Sequence, residues 1–210
     1  MTSCKAVIVG DSGVGKTCLL SRYISNTFDK DSITTFCPTY VTKELVFPDL
    51  DKKLNLDIWD TAGQELYKTL SKLFYKDAAI GILVYDISNK SSFDSIKNYW
   101  YKELKNNGLD NMIFNLVGNK YDLYETEQVK EDEAREYANS INAGFYLTSA
   151  KYNNNVEELF VESGRKFLQP DYQRKQLKSF NNDEENPVNM SHKLSKSKTK
   201  VKNKQQRQCC

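Results

Sequence analysis

The chain has 210 residues, of which 28% are charged and 39% hydrophobic, which suits a soluble globular protein with one large domain or a domain and a tail. The charge is uneven, because residues 1–170 carry a net −4 and residues 171–210 a net +6. No apolar run reaches the length of about 18 residues that a membrane span needs. We expect neither a signal peptide nor N-myristoylation, because a strand follows Met1 almost at once and the second residue is Thr2.

A phosphate-binding loop is predicted near the N-terminus. The pattern G-x-x-x-x-G-K-[ST] is matched by Gly10-Asp11-Ser12-Gly13-Val14-Gly15-Lys16-Thr17. The apolar segment 5–9 predicts a buried strand before it, and the apolar spacing over 19–24 predicts a helix after it. The loop would therefore end at a helix N-terminus, where free N–H groups favour anions. Lys16 is expected to reach the β- and γ-phosphates, and the Thr17 hydroxyl to bind Mg²⁺.

A loop and a β-hairpin are predicted next. Residues 25–38 are polar and lack periodicity, so we expect a loop. Phe28 lies in it and is either a core residue or an aromatic edge against a nucleotide base. The segments 43–47 and 54–59 predict the two strands of the hairpin, joined by a turn at 48–53.

The second hairpin strand runs into Asp60-Thr61-Ala62-Gly63-Gln64. An acid at a strand end after a phosphate-binding loop is placed to act on Mg²⁺. The backbone N–H of Gly63 could approach a γ-phosphate, and Gln64 could orient a water molecule. The pattern D-x-x-G is weak alone, because Asp and Gly are ordinary turn residues. It is a strong signal about 45 residues after such a loop.

The remaining pattern predicts alternating strands and helices. Strands are expected at 79–85, 113–117 and 145–148, and helices at 130–141 and from Val156 to Phe167. A further helix, capped by Ser91 and Ser92, carries an apolar stripe formed by Phe93, Ile96, Trp100 and Leu104. The prediction is an α/β protein with the three-layer P-loop NTPase fold. Its sheet has six mainly parallel strands, one antiparallel edge strand and helices on both faces.

Four polar segments fall at the predicted C-terminal ends of strands: 10–17, 60–64, 119–122 and 149–151. In sheets of this kind, ligands bind outside the carboxyl ends of the strands. The convergence of the four segments predicts a single site.

The segment around Asp122 predicts guanine rather than adenine as the base. Its carboxylate can accept two hydrogen bonds from the ring N–H and amino group of guanine, whereas adenine presents an acceptor there. The alkyl stem of Lys120 would cover one face of the base, and Phe28 could meet the other. Asn119 could tie this loop to the phosphate-binding loop, and the Ala150 N–H could donate to the base O6. In isolation, Asn-Lys-x-Asp is also compatible with an ordinary polar turn.

With these pieces assembled, residues 4–170 resemble a small GTPase of the Ras superfamily, and most of all a Rab. The motifs that carry the resemblance to the superfamily are Gly10–Thr17, Pro38-Thr39, Trp59-Asp60-Thr61-Ala62-Gly63-Gln64-Glu65, Asn119-Lys120-Tyr121-Asp122 and Ser149-Ala150-Lys151. The likeness to a Rab rests on Trp59, on the run Ile82-Leu83-Val84-Tyr85-Asp86-Ile87 and on the terminal Cys209-Cys210. Only 26 residues separate Asp122 from Ser149, which leaves no room for the extra helix usual in Rho proteins. Residues 40–44 and the pair Leu66-Tyr67 depart from the runs usual in Rabs.

The resemblance implies a role for each matching residue. Gln64 would orient the attacking water, with Lys16, Gly63 and Thr39 assisting. Mg²⁺ would be held by Thr17, Thr39 and Asp60, with Thr39 engaged only in the GTP state. Residues 29–43 and 61–76 would be the two switch segments. The nucleotide-binding set would be Ser12, Gly13, Val14, Gly15, Lys16, Thr17, Cys18, Phe28, Thr39, Gly63, Asn119, Lys120, Asp122, Ser149, Ala150 and Lys151.

The arginines of residues 1–170 are Arg22, Arg135 and Arg165, and none lies in a switch segment. An arginine finger raises hydrolysis rates by about 10³–10⁵-fold. We therefore expect slow intrinsic hydrolysis and an activating protein acting in trans.

The five cysteines fall into two groups. Cys4, Cys18 and Cys37 show no metal spacing and are expected to be reduced packing residues of a cytosolic protein. Cys209 and Cys210 end the chain and resemble the double geranylgeranylation site of Rabs. Two lipid chains anchor a protein stably, whereas one anchors it only marginally.

We expect a GTPase domain over residues 1–170, followed by a tail of residues 171–210 that is disordered. Residues 193–207 contain seven basic residues and no acid. The basic run is compatible with a solvated tail, with a nucleic-acid or nuclear-import patch, or with attachment to an anionic membrane. We favour membrane attachment and expect no nucleic-acid partner.

The resemblance implies a monomeric, GTP-hydrolysing switch in vesicle traffic, on the cytoplasmic face of an intracellular membrane and cycling with the cytosol. Its implied partners are an exchange factor, an activating protein, effectors, a prenylation escort and a GDP-dissociation inhibitor. The alternatives are a Ras- or Rho-like signalling GTPase, a phosphate-loop kinase or ATPase, and a module that binds nucleotide without efficient hydrolysis.

Overall fold

The computed structural model describes residues 2–29, 38–61 and 74–173. Within them, six strands form one sheet: β1 (Thr2–Val9), β2 (Thr39–Phe47), β3 (Lys52–Asp60), β4 (Ile80–Asp86), β5 (Ile113–Asn119) and β6 (Gly144–Leu147). Their order is β2-β3-β1-β4-β5-β6, with β2 antiparallel to β3 at one edge and the other pairs parallel. The predicted sheet is therefore confirmed.

Five complete α-helices lie among the described residues: α1 (Lys16–Ser25), α2 (Lys90–Ser95), α3 (Tyr101–Asn107), α4 (Glu131–Ser140) and α5 (Val156–Leu168). A π-helical segment, Ile96–Trp100, joins α2 to α3. Two short 3₁₀ helices cover Pro48–Leu50 and Tyr121–Thr126.

The sheet is covered on both faces. Along β1, Ala6 and Ile8 join a buried cluster with residues of α1 and α5, whereas Val7 and Val9 join a second cluster with residues of α2, α3 and α4. Successive side chains of a strand point to opposite faces, so a covered sheet needs apolar residues at nearly every position of its central strands. Strand β4 shows this fully, because all seven of its residues are buried.

The start of α2 corrects one prediction. The helix is capped by Asn89, whose side chain accepts a hydrogen bond from the Ser92 N–H at 3.4 Å. The Ser92 hydroxyl instead accepts from the Asp86 N–H at 3.0 Å and donates to the Asn89 carbonyl at 2.7 Å. The prediction that Ser91 and Ser92 cap this helix is wrong, because Asn is an equally good cap and precedes them.

The predicted continuous helix after residue 91 contains the π-helical segment in its middle. A π turn holds an extra residue and locally changes the direction of the side chains. The predicted apolar stripe is nevertheless buried, since Phe93, Ile96, Trp100 and Leu104 are each at most 2% exposed. The sequence pattern thus predicted the buried face but not the local geometry.

The chain stays on the body after α5 ends. The ring of Tyr172 lies 5.4 Å from that of Phe167, and its hydroxyl is 3.4 Å from the Ala79 carbonyl. The Gln173 amide donates to the Phe167 carbonyl at 2.6 Å. Residues up to 173 therefore pack on the domain that was predicted to end at residue 170, and the rest of the predicted tail lies outside the described residues.

Two of the three scattered cysteines are described, and neither forms a disulfide. Cys4 is buried in the core, and burial raises the pKa of its thiol. Cys18 is half-buried in the first turn of α1. None of the helices in the described parts of the chain is both long and apolar enough to cross a bilayer.

Candidate nucleotide-binding site

The loop between β1 and α1 crosses the carboxyl edge of the sheet beside β3 and β4. Two of its glycines cannot be replaced without strain. Gly10 has φ +149°, and a Cβ there would lie 2.1 Å from the Val84 carbonyl oxygen. Gly15 precedes α1 with φ +93°, and its Cβ would lie 2.5 Å from Asn119 Nδ2. The loop therefore needs glycine both for its backbone angles and for close approach to its neighbours.

Lys16 is buried inside this loop, with only 5% of its surface exposed. Its Nζ donates hydrogen bonds to the carbonyls of Gly10 and Asp11, each at 2.9 Å. Burial lowers the pKa of Lys16 to about 8, although Asp60 and Asp11 act to raise it. The loop thus holds a buried positive charge at the N-terminus of α1, where phosphate oxygens would bind.

The three residues predicted to hold Mg²⁺ lie together. Thr17 Oγ1 donates to Asp60 Oδ2 at 2.5 Å, and the strand register pairs Thr39 of β2 with Asp60 of β3. Asp60 is fully buried, and its Oδ1 has no hydrogen-bond partner within the described chain. Burial raises the pKa of Asp60, while the Thr17 hydrogen bond and the Lys16 charge lower it.

Asn119, at the end of β5, connects the phosphate-binding loop to the two polar segments that follow β5 and β6. Its Nδ2 donates to the Val14 carbonyl at 2.9 Å, across 105 residues of sequence. Its Oδ1 accepts from the Thr148 hydroxyl at 3.2 Å. Both ends of this buried amide are therefore used, as a buried polar group requires.

The carboxylate of Asp122 is oriented by the loop after β6. Ser149 Oγ donates to Asp122 Oδ1 at 2.6 Å, and Lys151 Nζ lies 4.0 Å from Oδ2. Ser149 and Asn154 exchange backbone hydrogen bonds at 3.2 and 3.1 Å, which closes the loop. Asp122 and Ser149, predicted to act together, are thus in direct contact.

Asp86 is a residue of the candidate site to which the sequence analysis assigned no role. Its Oδ2 lies 2.7 Å from Lys120 Nζ, and its Oδ1 accepts from the N–H and hydroxyl of Ser88 at 2.8 and 2.7 Å. The ion pair fixes the head of the lysine whose stem was predicted to cover a base. The signal was present, because Asp86 ends β4 as Asp60 ends β3.

Arg22 was considered only as a candidate arginine finger, and the structure directs it elsewhere. Its Nε donates to the Ala150 carbonyl at 2.7 Å and its Nη2 to the Lys151 carbonyl at 3.0 Å. It therefore lies against the predicted base-binding loop rather than the phosphate-binding loop. No sequence pattern indicates this contact.

A second unpredicted contact reaches the phosphate-binding loop from the π-helical segment. Trp100 Nε1 donates to Asp11 Oδ1 at 2.7 Å. The indole is buried, so this N–H needs a partner and finds it in the loop. The bond holds the Asp11 carboxylate against the helix.

Of the other predicted site residues, Ser12, Gly13 and Val14 lie in the phosphate-binding loop, and Ala150 lies in the loop after β6. Val14 and Ala150 are buried, Ser12 and Gly13 are exposed, and Phe28 is partly buried beyond the end of α1. Gly63, Gln64, Cys209 and Cys210 lie outside the described residues.

The fold and this polar edge place the protein among the phosphate-loop nucleotide-binding proteins. The sequence profile of the Ras family matches residues 5–169. Ras-related protein Rab-22A of Homo sapiens is 39% identical over 168 residues, which cover 80% of this chain and 84% of the relative. Ras-related protein Rab-21 of Homo sapiens is 42% identical over 167 residues, covering 80% and 73%. Ras-related protein RabJ of Dictyostelium discoideum is 40% identical over 164 residues, covering 78% and 63%.

The chain belongs to the Ras family and is similar to its Rab members. It is a small GTPase that binds GTP and GDP, hydrolyses GTP, and regulates membrane traffic together with regulators and effectors. The resemblance, the fold and the class of function predicted from the sequence are thus confirmed.

Proposed function

We propose that the switch operates through one continuous site in which residues 10–17 bind the phosphates and residues 119–122 and 149–151 bind guanine. The observation that carries this proposal is the hydrogen bond from Asn119 Nδ2 to the Val14 carbonyl. It holds the predicted base-binding segments against the phosphate-binding loop. Ser12, Gly13, Gly15 and Cys18 would contribute backbone or side-chain contacts to the phosphates.

Mg²⁺ fits the residues around Asp60. The unpartnered Oδ1 of Asp60 and the adjacent Thr17 hydroxyl are hard oxygen donors, and Thr39 would join them in the GTP state. No cluster of three or more His, Cys, Asp or Glu suited to a metal occurs among the described residues. Mg²⁺ prefers such an open arrangement, because it is usually bound by one or two carboxylates together with substrate phosphates. When bound, it would neutralise charge on the β- and γ-phosphate oxygens.

Guanine recognition would depend on Asp122. Its Oδ1 is already oriented by Ser149, so both oxygens can accept from the ring N–H and amino group without further ordering. The Lys120 stem, fixed by Asp86, would cover one face of the base, and Phe28 would meet it from the other side. The Ala150 N–H would donate to O6.

Hydrolysis would be slow in the isolated protein. Gln64 would orient a water for in-line attack, and Lys16 with the backbone N–H groups of Gly63 and Thr39 would stabilise the developing charge. No arginine lies in either switch segment, so the missing cation would come from an activating protein.

Gln64→Leu should keep GTP binding and lose most hydrolysis. Fast turnover by the purified protein alone, or normal turnover by the variant, would contradict this mechanism.

The C-terminal region would attach the switch to a membrane. Prenyl groups on Cys209 and Cys210, helped by the basic run at 193–207, would anchor it to the cytoplasmic face of an intracellular membrane. A prenylation escort and a GDP-dissociation inhibitor would handle the lipids, and an exchange factor would reload GTP. A Cys209→Ser/Cys210→Ser protein that stays on membranes in cells would contradict this account.

A competition assay tests the nucleotide site. Labelled GDP on the purified full chain is displaced by GTP, GDP, ATP or GMP, with and without Mg²⁺. We expect guanine-selective, Mg²⁺-dependent binding of GTP and GDP. Asp122→Asn should reduce the guanine selectivity, whereas Asp110→Asn, which neutralises an exposed acid outside the proposed site, should keep it. Equal competition by ATP in the unmodified protein would contradict the proposal.

A further inference from the structure

Arg22 connects the first helix to the loop that follows β6. It lies six residues beyond Lys16 on α1, about 9 Å along the helix axis. Its Nε and Nη2 donate to the consecutive carbonyls of Ala150 and Lys151 at 2.7 and 3.0 Å. These are charge-assisted bonds, which are about twice as strong as neutral ones.

The other side of the guanidinium is held by the end of its own helix. Nη1 donates to the backbone carbonyl of Asn26 at 2.7 Å and to its Oδ1 at 3.0 Å. Asn26 ends α1 in a left-handed conformation with φ +52° and also accepts a hydrogen bond from the Asn153 amide at 3.3 Å. The planar fork is therefore fixed on both sides. A lysine at this position has no fork with which to reproduce that geometry.

The carbonyls that Arg22 holds lie within the proposed base-binding loop. Ser149, the residue before Ala150, orients Asp122, and the Ala150 N–H is the proposed donor to O6. Fixing two consecutive carbonyls leaves the backbone from Ser149 to Lys151 little freedom. The same helix carries Lys16 and Thr17 at its N-terminus. Helix α1 is therefore a rigid connection between the phosphate-binding loop and the proposed base-binding loop.

We propose that Arg22 is a positioning residue for guanine recognition, acting through the Ser149–Lys151 loop without touching the nucleotide. This inference rests on the base-binding roles proposed above for Asp122 and Ala150. Without Arg22, the loop would orient the Asp122 carboxylate less well, so the hydrogen bond that it would accept from the 2-amino group of guanine would weaken. Binding of the base would weaken, while the phosphate contacts would stay in place.

The test compares dissociation of GDP with that of IDP, whose base lacks the 2-amino group that Asp122 would accept from. Arg22→Gln and Arg22→Lys are matched with Arg165→Gln, which removes an arginine paired with Asp49 away from the site. We expect Arg22→Gln to speed GDP dissociation about tenfold, which is the effect of losing roughly one charge-assisted hydrogen bond between the base and Asp122. It should also bring the GDP and IDP rates closer together. Arg22→Lys should behave similarly, and Arg165→Gln should match the unmodified protein.

Each outcome decides for or against the role. A smaller difference between GDP and IDP in the Arg22 variants supports it. Equal acceleration of both nucleotides, or no change in either, overturns it, because a purely structural role would not alter base discrimination. If Arg22→Gln does not fold, the same comparison with Arg22→Lys decides. If the unmodified protein does not distinguish GDP from IDP, the base-binding proposal fails, and the role of Arg22 with it.

Discussion

The two ends of the candidate site are built differently. At the phosphate end, charged groups are buried without full compensation among the described residues: Asp60 Oδ1 has no partner, and burial lowers the pKa of Lys16 to about 8. At the base end, the polar groups are already paired. Ser149 contacts Asp122, and Asn119 uses both ends of its amide.

The difference indicates a division of labour. Buried charges are costly alone and become favourable when an opposite charge arrives, so the phosphate end would supply affinity that depends on a charged ligand and a cation. A network already ordered by its neighbours needs no rearrangement, so the base end would supply selectivity. Substitutions at the two ends should therefore fail in different ways.

The largest effect is expected from Lys16→Met. Removing the ammonium leaves phosphate charge unbalanced in a buried loop, a change that costs about 2–5 kcal/mol and therefore roughly 30- to 5,000-fold in affinity for GDP and GTP. Titration of fluorescent GDP measures it. Lys5→Met is the control, because Lys5 of β1 donates to the Lys76 carbonyl at 2.8 Å and lies outside the candidate site. Equal affinities for the two variants would contradict a charge-dependent phosphate end.

Asp60→Asn should separate stability from function. Asparagine keeps the shape of the side chain and an acceptor for the Thr17 hydroxyl, but it removes a buried negative charge. Because burial raises the pKa of the Asp60 carboxyl, its ionised form destabilises the folded protein. The nucleotide-free variant should therefore be more stable than the unmodified protein at pH values above the ordinary pKa of a carboxyl. Mg²⁺ affinity in the presence of GDP should fall about 10- to 100-fold. Asp57→Asn, on the same strand, should change Mg²⁺ affinity little because Asp57 instead accepts from Thr42 at 2.6 Å. Thermal melts measure the stability, and Mg²⁺ titrations measure the affinity for the ion. A variant that lost stability as well as Mg²⁺ affinity would contradict the role proposed for Asp60.

The affinity for GDP should decrease in alkaline solution. Lys16 in the free site has a pKa of about 8, whereas bound phosphates would keep it protonated. Binding above pH 8 must then take up a proton, so affinity should be level near pH 7 and fall by up to about tenfold per pH unit above 8. The Lys16→Arg variant stays charged and should show no such fall. A level profile for the unmodified lysine would mean that its pKa is not lowered.

The smallest effect is expected from Trp100→Phe. It keeps an aromatic ring but frees the Asp11 carboxylate beside the phosphates, which should weaken GDP binding about 3- to 10-fold. Discrimination between GDP and IDP should not change, because the bond belongs to the phosphate end. Adding Asp11→Ala should not weaken binding further, since both substitutions remove the same interaction. Additive losses in this double-mutant cycle would contradict the coupling.

The sequence by itself determined the order of strands and helices along the chain, the covered sheet and the polar segments that meet at the candidate site. These follow from local rules, because apolar alternation marks buried strands and phosphate chemistry needs Gly, Lys and Thr at fixed spacing. The predicted placement of Lys16, Asp60 and Asp122 at strand ends rests on this logic. The sequence did not show which of Asn89, Ser91 and Ser92 caps α2, because all three are good capping residues.

Only the tertiary structure decided how the site is supported. Arg22 meets Ala150 across 128 residues, and Trp100 meets Asp11 across 89. Such contacts leave no local pattern, because they depend on how α1 and the π-helical segment pack against loops distant in the chain. Residue types that carry the chemistry can be recognised from their spacing, whereas the side chains that hold them in place are identified only when packing brings them together.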